Sequence, residues 1–383
     1  MALRPWDLFG AVFFGAVMGR CLIQTGARAI ESCDLTKIEP SKAEVPEQSK
    51  AKRREEAQAR TEALWPEIAV DLGLDGHQAR FRPMRVNSRF IDRRCVLDVR
   101  LSNGQELVLR ADFEDRRIKR IQNIIARQRR LSAALADVPG VSVPQVLWQH
   151  PSRFFTVMEF AKGETAFREL DLADLGFGRR AEVLHRIGRA VADMHRCSAT
   201  GPRKFWPKFN LDKVSARAEA ARTGDSPIRR QPKFLGLCAY LHRAGRRARG
   251  VSFDGALEHG DLHFRNVLMD EKTVSFIDFA NFSNDIPQND LANLWVANCP
   301  DHQAPIAEPS GYGRVREADW EAFLAGYGRD VREDPVFQFF YAMRVFRTWQ
   351  RVPVPGDAIS QKGEEMLEGL IDVTNWLLAH EPG

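Results

Sequence analysis

The chain has 383 residues, 56 of them basic and 51 acidic, a formal net charge of +5 at pH 7, and 44% hydrophobic residues. That length supports two lobes with cores of their own, and no recognised nucleic-acid-binding motif accompanies the basic clusters, which sets that class aside. Six cysteines scattered without close pairing exclude a disulfide framework and give no strong metal motif, and there is no internal repeat.

Leu8 to Gly19 is apolar apart from its glycines and is followed by Arg20-Cys21-Leu22-Ile23. The run is shorter than the roughly 20 residues of an ordinary spanning helix, yet an arginine near a helix end can snorkel, and Gly15 and Gly19 permit close helix contact. Residues 1–26 are therefore expected to be a membrane anchor or an interaction helix; a cleaved signal peptide fits less well, because the cleavage site is poor. Glu31 to Arg60, rich in charge, proline and polar residues, reads as a tether ending in a helix, so residues 27–75 are expected to form a charged linker and helical lead-in.

Further on, Met84 to Phe90 precedes a strand, Cys95 to Leu101, which Ser102-Asn103-Gly104-Gln105 joins to a second, Glu106 to Arg110; the Asn-Gly pair predicts a hairpin. Arg116, Arg117, Lys119, Arg120, Arg127, Arg129 and Arg130 then crowd one helical region. Phe154 to Phe160 reads as a strand ending near Gly163. Ala181 to His195 places Leu184, Ile187, Val191 and Met194 on one side of an amphipathic helix, which makes His195 structural. Arg243, Arg246, Arg247 and Arg249 form a second basic cluster. Such clusters suit anionic lipid, a phosphorylated substrate or plain solvation. Helices are expected over Trp320 to Tyr327, Val336 to Trp349 and Glu364 to Ala379.

The chemistry lies in His259-Gly260-Asp261-Leu262-His263-Phe264-Arg265-Asn266-Val267-Leu268, followed by Val274-Ser275-Phe276-Ile277-Asp278-Phe279. Phosphoryl transfer needs a carboxylate beside the nucleophile and oxygen ligands holding Mg²⁺. Asp261 is placed to accept a hydroxyl proton or orient the hydroxyl, and Asn266, five positions on, to reach a metal from the same loop. Val-Ser-Phe-Ile reads as a short strand, so Asp278 sits at its exit as the principal Mg²⁺ ligand. The polar Asp270-Glu271-Lys272 between two apolar runs predicts a hairpin that returns Asn266 to Asp278. His259, Asp261 and His263 at i, i+2 and i+4 lack the further convergent ligands of a zinc site.

This combination resembles the catalytic and metal-binding segments of the aminoglycoside phosphotransferase and choline kinase family, a branch of the protein-kinase-like fold. The resemblance covers about residues 80 to 350, strongest at 257–294 and weak between 198 and 250. It implies an α+β, bilobal protein-kinase-like fold, with a small β-rich nucleotide-binding lobe over 76–162 and a larger helical lobe over 163–383 carrying the catalytic hairpin and acceptor site. ATP and Mg²⁺ are the implied cofactors, and a hydroxyl of a small molecule, a sugar, amino alcohol or lipid-linked or anionic acceptor, the implied partner. ATP chemistry in turn implies a reducing, cytoplasmic-facing compartment.

Residue by residue, the resemblance implies that His259 supports the catalytic loop by hydrogen bonds, Asp290 braces it, and His263 stands behind it. Arg110 falls where the family usually has the lysine that contacts the α- and β-phosphates, keeping the charge but changing the reach. Asn87 and Ser88 lie in the phosphate-covering segment, which here has no glycine. Backbone groups of Glu159 to Ala161 would hydrogen-bond adenine, with Met158 or Phe160 lining its slot. Gln128 takes the place of the helix glutamate that pairs with the strand lysine, so Arg110 is expected to be held by Asp112, Glu114 or the nucleotide. These departures sustain a second expectation, a nucleotide-binding scaffold or regulator at a membrane with little phosphotransfer.

Overall fold

A computed structural model describes residues 47–84, 94–113, 118–281, 284–297, 299, 301 and 303–382. The apolar N-terminal segment, Asn87, Ser88 and Glu114 lie outside the described residues. Among those described, no helix is long and apolar enough to cross a membrane. The chain divides into two compact units, one built from the residues up to Arg116 with Trp148–Val157, the other from Arg117–Leu147 with Met158 onward.

In the first unit, helices α1 (Glu47–Glu62) and α2 (Trp65–Asp71) precede strands β1 (Ala79–Pro83), β2 (Arg94–Leu101) and β3 (Glu106–Asp112). Arg100 pairs with Glu106 and Leu97 with Leu109, so Asn103-Gly104 makes the expected turn, and the Gln105 N–H donates to Asn103 Oδ1 at 2.9 Å. The chain leaves this unit through α3 (Ile118–Leu135) and β4 (Val141–Ser142) and returns as β5 (Val146–Gln149) and β6 (Phe154–Glu159), completing a sheet in the order β1-β2-β3-β6-β5. The period-two pattern turns Leu97, Val99, Leu101, Leu107 and Leu109 to one buried cluster with Trp65, Ile68 and Ala57. Each such side chain contributes about 1.5–3 kcal/mol when fully buried. The charged stretch read as a tether is thus, from Glu47 on, a helix that buries Ala57 in this core.

The second unit continues with β7 (Glu164–Thr165), α4 (Ala166–Asp174), α5 (Arg180–Cys197), β8 (Ala199–Lys204), α6 (Lys208–Thr223), α7 (Gln231–Ala248), β9 (Ser252–Ala256), β10 (Val267–Met269), β11 (Val274–Phe276), α8 (Pro287–Val296), α9 (Glu317–Tyr327), α10 (Pro335–Trp349) and α11 (Gln361–Ala379). A small sheet in the order β4-β11-β10-β7 carries the predicted hairpin. Its turn is closed by Asp270 Oδ1, which accepts from the N–H groups of Lys272 and Thr273 at 2.8 and 2.7 Å.

The helices form one continuous core, in which Leu184, Ile187, Val191 and Met194 of α5 are buried as their spacing predicts. α5 and α9 approach so closely that a Cβ on Gly188 would lie 2.1 Å from the Phe323 carbonyl oxygen, and one on Gly326 2.0 Å from that of His185. α10 starts at Pro335, capped by Asp334 Oδ1, which accepts from the Val336 and Phe337 N–H groups. It is buried almost along its whole length.

Candidate active site

The residues Leu257 to Phe279 form a loop and hairpin whose backbone is fixed from several sides. Gly260 has φ +84°, and a Cβ there would lie 2.5 Å from the Asn281 nitrogen, so the position admits only glycine without rearrangement. The two N–H groups that this turn leaves pointing inward are taken by one carboxylate: Asp290 on α8 accepts from His259 N–H at 2.6 Å and from Gly260 N–H at 2.9 Å. Asp290 is completely buried, and the His195 ring on α5 stands 3.6 Å from its Oδ2. His195 in turn shares a hydrogen bond of 3.1 Å with the Tyr327 hydroxyl on α9.

His259 is also fully buried and stacks on Phe279 at 4.2 Å between ring centres. Its Nε2 lies 2.8 Å from the Ile277 carbonyl, which can only accept, so the proton sits on Nε2; Nδ1 accepts from the Asp261 N–H at 3.3 Å. The bond that Nδ1 accepts requires the neutral ring. Burial pushes its pKa below the ordinary histidine value, which favours the same form.

Asp261 follows directly, its side chain partly open to solvent. Burial raises its pKa above the usual aspartate value, opposed first by the charge of Arg344. His263 Nε2 lies 3.7 Å from Asp261 Oδ2, and burial lowers the pKa of this histidine to about 4. Asn266 ends a short helical turn, Phe264–Asn266. Its Nδ2 donates to the Asp261 carbonyl at 3.0 Å, which leaves Oδ1 as the amide's acceptor. Its own carbonyl takes the Ile277 N–H at 3.0 Å, and Val267 pairs with Phe276. The hairpin therefore returns the chain so that Asp278 follows immediately on the residue bonded to Asn266. Asp278 has φ +59°, a left-handed conformation uncommon for a residue with a side chain.

Asn266 and Asp278 offer the hard oxygen donors that suit Mg²⁺, an ion typically held by one or two carboxylates together with substrate phosphates and water. Among the described residues no three His, Cys, Asp or Glu side chains gather into a metal cage.

Three residues that sequence reasoning passed over also shape the loop. Asn281 donates its N–H to the His259 carbonyl at 3.2 Å and its Nδ2 to the Glu258 carbonyl at 3.1 Å. Glu258, completely buried, accepts from the Ile286 N–H at 2.8 Å and from Asn289 Nδ2 at 2.7 Å; burial, and then the charge of Asp290, raise its pKa. Arg344 of α10 is buried and its charge acts on Asp261, Asp290 and Glu258. The available signal for Arg344 was a cation set among apolar and aromatic residues of α10, one turn before Arg347.

The other residues that the sequence pointed to are distributed over both units. In the first, Arg110 lies opposite Val96 in the β2–β3 ladder, its guanidinium 4.9 Å from the Phe154 ring centre, while Asp112 accepts from Arg94 at 2.8 Å. In the second, Gln128 is buried and donates to the Pro144 carbonyl at 3.0 Å. Met158, Phe160 and Ala161 are half-buried and Glu159 is exposed. The Glu159 N–H donates to the Gln145 carbonyl at 3.0 Å. Part of the basic surface is committed internally: Arg127 binds the Asn284 carbonyl and Asp285, and Arg243 and Arg247 hold Glu381 at 2.7 and 2.8 Å.

Residues 91–331 match the family model described as "Phosphotransferase enzyme family". Among solved structures, the aminoglycoside phosphotransferase APH(4)-Ia aligns with a TM-score of 0.51 at 12% identity, over 84% of this chain and 99% of its own. The amicoumacin kinase hAmiN, solved with AMP-PNP, Ca²⁺ and Ami, aligns with a TM-score of 0.51 at 15% identity, over 77% of this chain and 88% of its own. At these identities the likeness is one of fold.

Proposed function

Since the chain belongs to the phosphotransferase enzyme family, we propose that it transfers the γ-phosphoryl group of ATP, with Mg²⁺, to a hydroxyl of a small molecule, a sugar, amino alcohol, lipid-linked or anionic acceptor. The observation that carries this reading is the hairpin that joins Asp261, Asn266 and Asp278, through the Asn266 bonds to the Asp261 and Ile277 backbones.

In this mechanism Asp261 orients the acceptor hydroxyl and takes its proton as the oxygen bonds to phosphorus. The bond from phosphorus to the β-phosphate oxygen breaks, ADP leaves, and the proton passes on to solvent. Asn266 and Asp278 would hold Mg²⁺, which when bound neutralises charge on the phosphate oxygens. His259 and Asp290 act on the loop backbone, fixing where the Asp261 carboxylate stands. Arg110 is assigned to the α- and β-phosphates, backbone groups of Glu159 to Ala161 to adenine and the Met158 or Phe160 side chain to its slot, each by its place in the family pattern. The N-terminal segment is assigned to a membrane or a membrane protein on its composition alone.

The test is Mg²⁺-dependent ATP turnover with a panel of hydroxyl acceptors. Asp261→Ala and Asp278→Ala should each lower kcat by about 10²–10⁴-fold. Equal turnover in all three proteins would sink the mechanism.

A further inference from the structure

Resting on the phosphotransferase reading, we infer that the acceptor carries an anionic group, a carboxylate or a phosphate, held beside Asp261 by Arg344, Arg347 and Arg351. Arg344 and Arg347 stand three apart on α10, and Arg351 follows in the turn that continues it, where the Arg351 N–H donates to the Thr348 carbonyl at 3.0 Å. Positions i, i+3 and i+7 share one helical face. Along it the side chains run from buried Arg344 through half-buried Arg347 to exposed Arg351, a file of cations leading from solvent inward. The charges of Arg344 and Arg351 both act on Asp261, which ties the file to the proposed reacting centre.

The two inner members of this file lack a counter-charge in contact among the described residues. Arg344 is 8% exposed, its Nε has no hydrogen-bond partner, and its guanidinium makes no ion pair within 4.0 Å there. Arg347 donates to a neutral group, Asn210 Oδ1, at 3.2 Å. Three acids act on Arg344 by charge: Asp261, the proposed reacting carboxylate, and two that are engaged elsewhere, Asp290 by two loop N–H groups and Glu258 by Ile286 and Asn289. The arginines also oppose one another. Burial first, and then the charge of Arg344, lower the pKa of Arg347 to about 10, and the charge of Arg344 acts against Arg351 as well. Lys213 adds a further charge against Arg347, its ammonium 4.0 Å from the Phe209 ring centre.

Crowding Arg344 and Arg347 on one face at full and partial burial is costly unless an anion meets them, and guanidinium forks match carboxylate and phosphate oxygens. A polyamine acceptor would meet repulsion here.

The test uses the full chain with Mg²⁺ and ADP present, so that the nucleotide site is filled. Inorganic phosphate and acetate are titrated calorimetrically against the wild type and an Arg347→Gln/Arg351→Gln double variant, whose changes lie toward the surface. The wild type should bind at least one of these anions roughly tenfold or more tightly than the double variant; which one binds separates phosphate from carboxylate. Transfer to glucose, glucose 6-phosphate and gluconate is then compared. An anionic sugar should be preferred by the wild type, with the double variant raising its KM by a similar factor and leaving the KM for ATP in place. Equal anion affinity in wild type and variant refutes the subsite whether or not transfer is seen. Anion binding without transfer above the Asp261→Ala level refutes the phosphotransferase reading and the acceptor assignment with it.

Discussion

Single residues in the proposed catalytic loop have consequences that can be separated by measurement. Asp290→Ala leaves the buried His259 and Gly260 N–H groups without their acceptor, which should cost about 2–5 kcal/mol in urea unfolding and lower kcat with little change in the KM for ATP. Gly260→Ala meets both a left-handed backbone and the Asn281 nitrogen, and a drop of several degrees in Tm is the expected result. His263 sets a pH dependence. Folded, it holds its proton only below about pH 4, whereas the unfolded chain takes one near 6.5. Between those values the unfolded state binds more protons, so stability is full above about pH 6.5, falls by roughly 3 kcal/mol as pH drops to about 4, and levels off below. His263→Asn should remove that part of the decline when unfolding is followed across this range.

At the scale of elements, what the sequence made legible was what local pattern encodes. The β2–β3 hairpin announced itself through Asn103-Gly104, and β10–β11 through a polar turn between apolar runs. α5, α9, α10 and α11 followed from apolar spacing, to within a few residues at each end. β8, by contrast, is Ala-Thr-Gly-Pro-Arg-Lys, without β-branched or aromatic alternation, and exists because it pairs with β9 some fifty residues later, Lys204 opposite Ser252. The site divides in the same way. Asp261, Asn266 and Asp278 share one hairpin and could be read together. Glu258 sits beside the motif but receives its partners from 286 and 289, and Arg344 arrives from another helix, so neither role is written in neighbouring letters. The basic cluster around Arg243 shows the converse: charges suited by composition to an external anion are held by Glu381 at the far end of the chain. Glu381→Gln should therefore raise amide exchange in the last turn of α11 without affecting the β10–β11 hairpin.

For the whole molecule, the two core clusters mean that damage to one need not be felt equally in the other. Leu97→Ala, in the heart of the first unit's sheet, should destabilise by about 2–5 kcal/mol. Hydrogen exchange should report the loss over residues 94–112 and leave α10 protected; uniform loss across both units would show a single cooperative core instead. Within the second unit, the narrow gap between α5 and α9 reaches further than its own packing. Gly326 precedes Tyr327, whose hydroxyl meets His195, whose ring faces Asp290, which grips the His259-Gly260 turn. Two missing methyl groups, at Gly188 and Gly326, thereby set a helix contact from which a file of side chains leads to a loop they never touch. Gly326→Ala, which must widen that seam, should therefore lower kcat as well as Tm although no residue proposed to meet a substrate is changed.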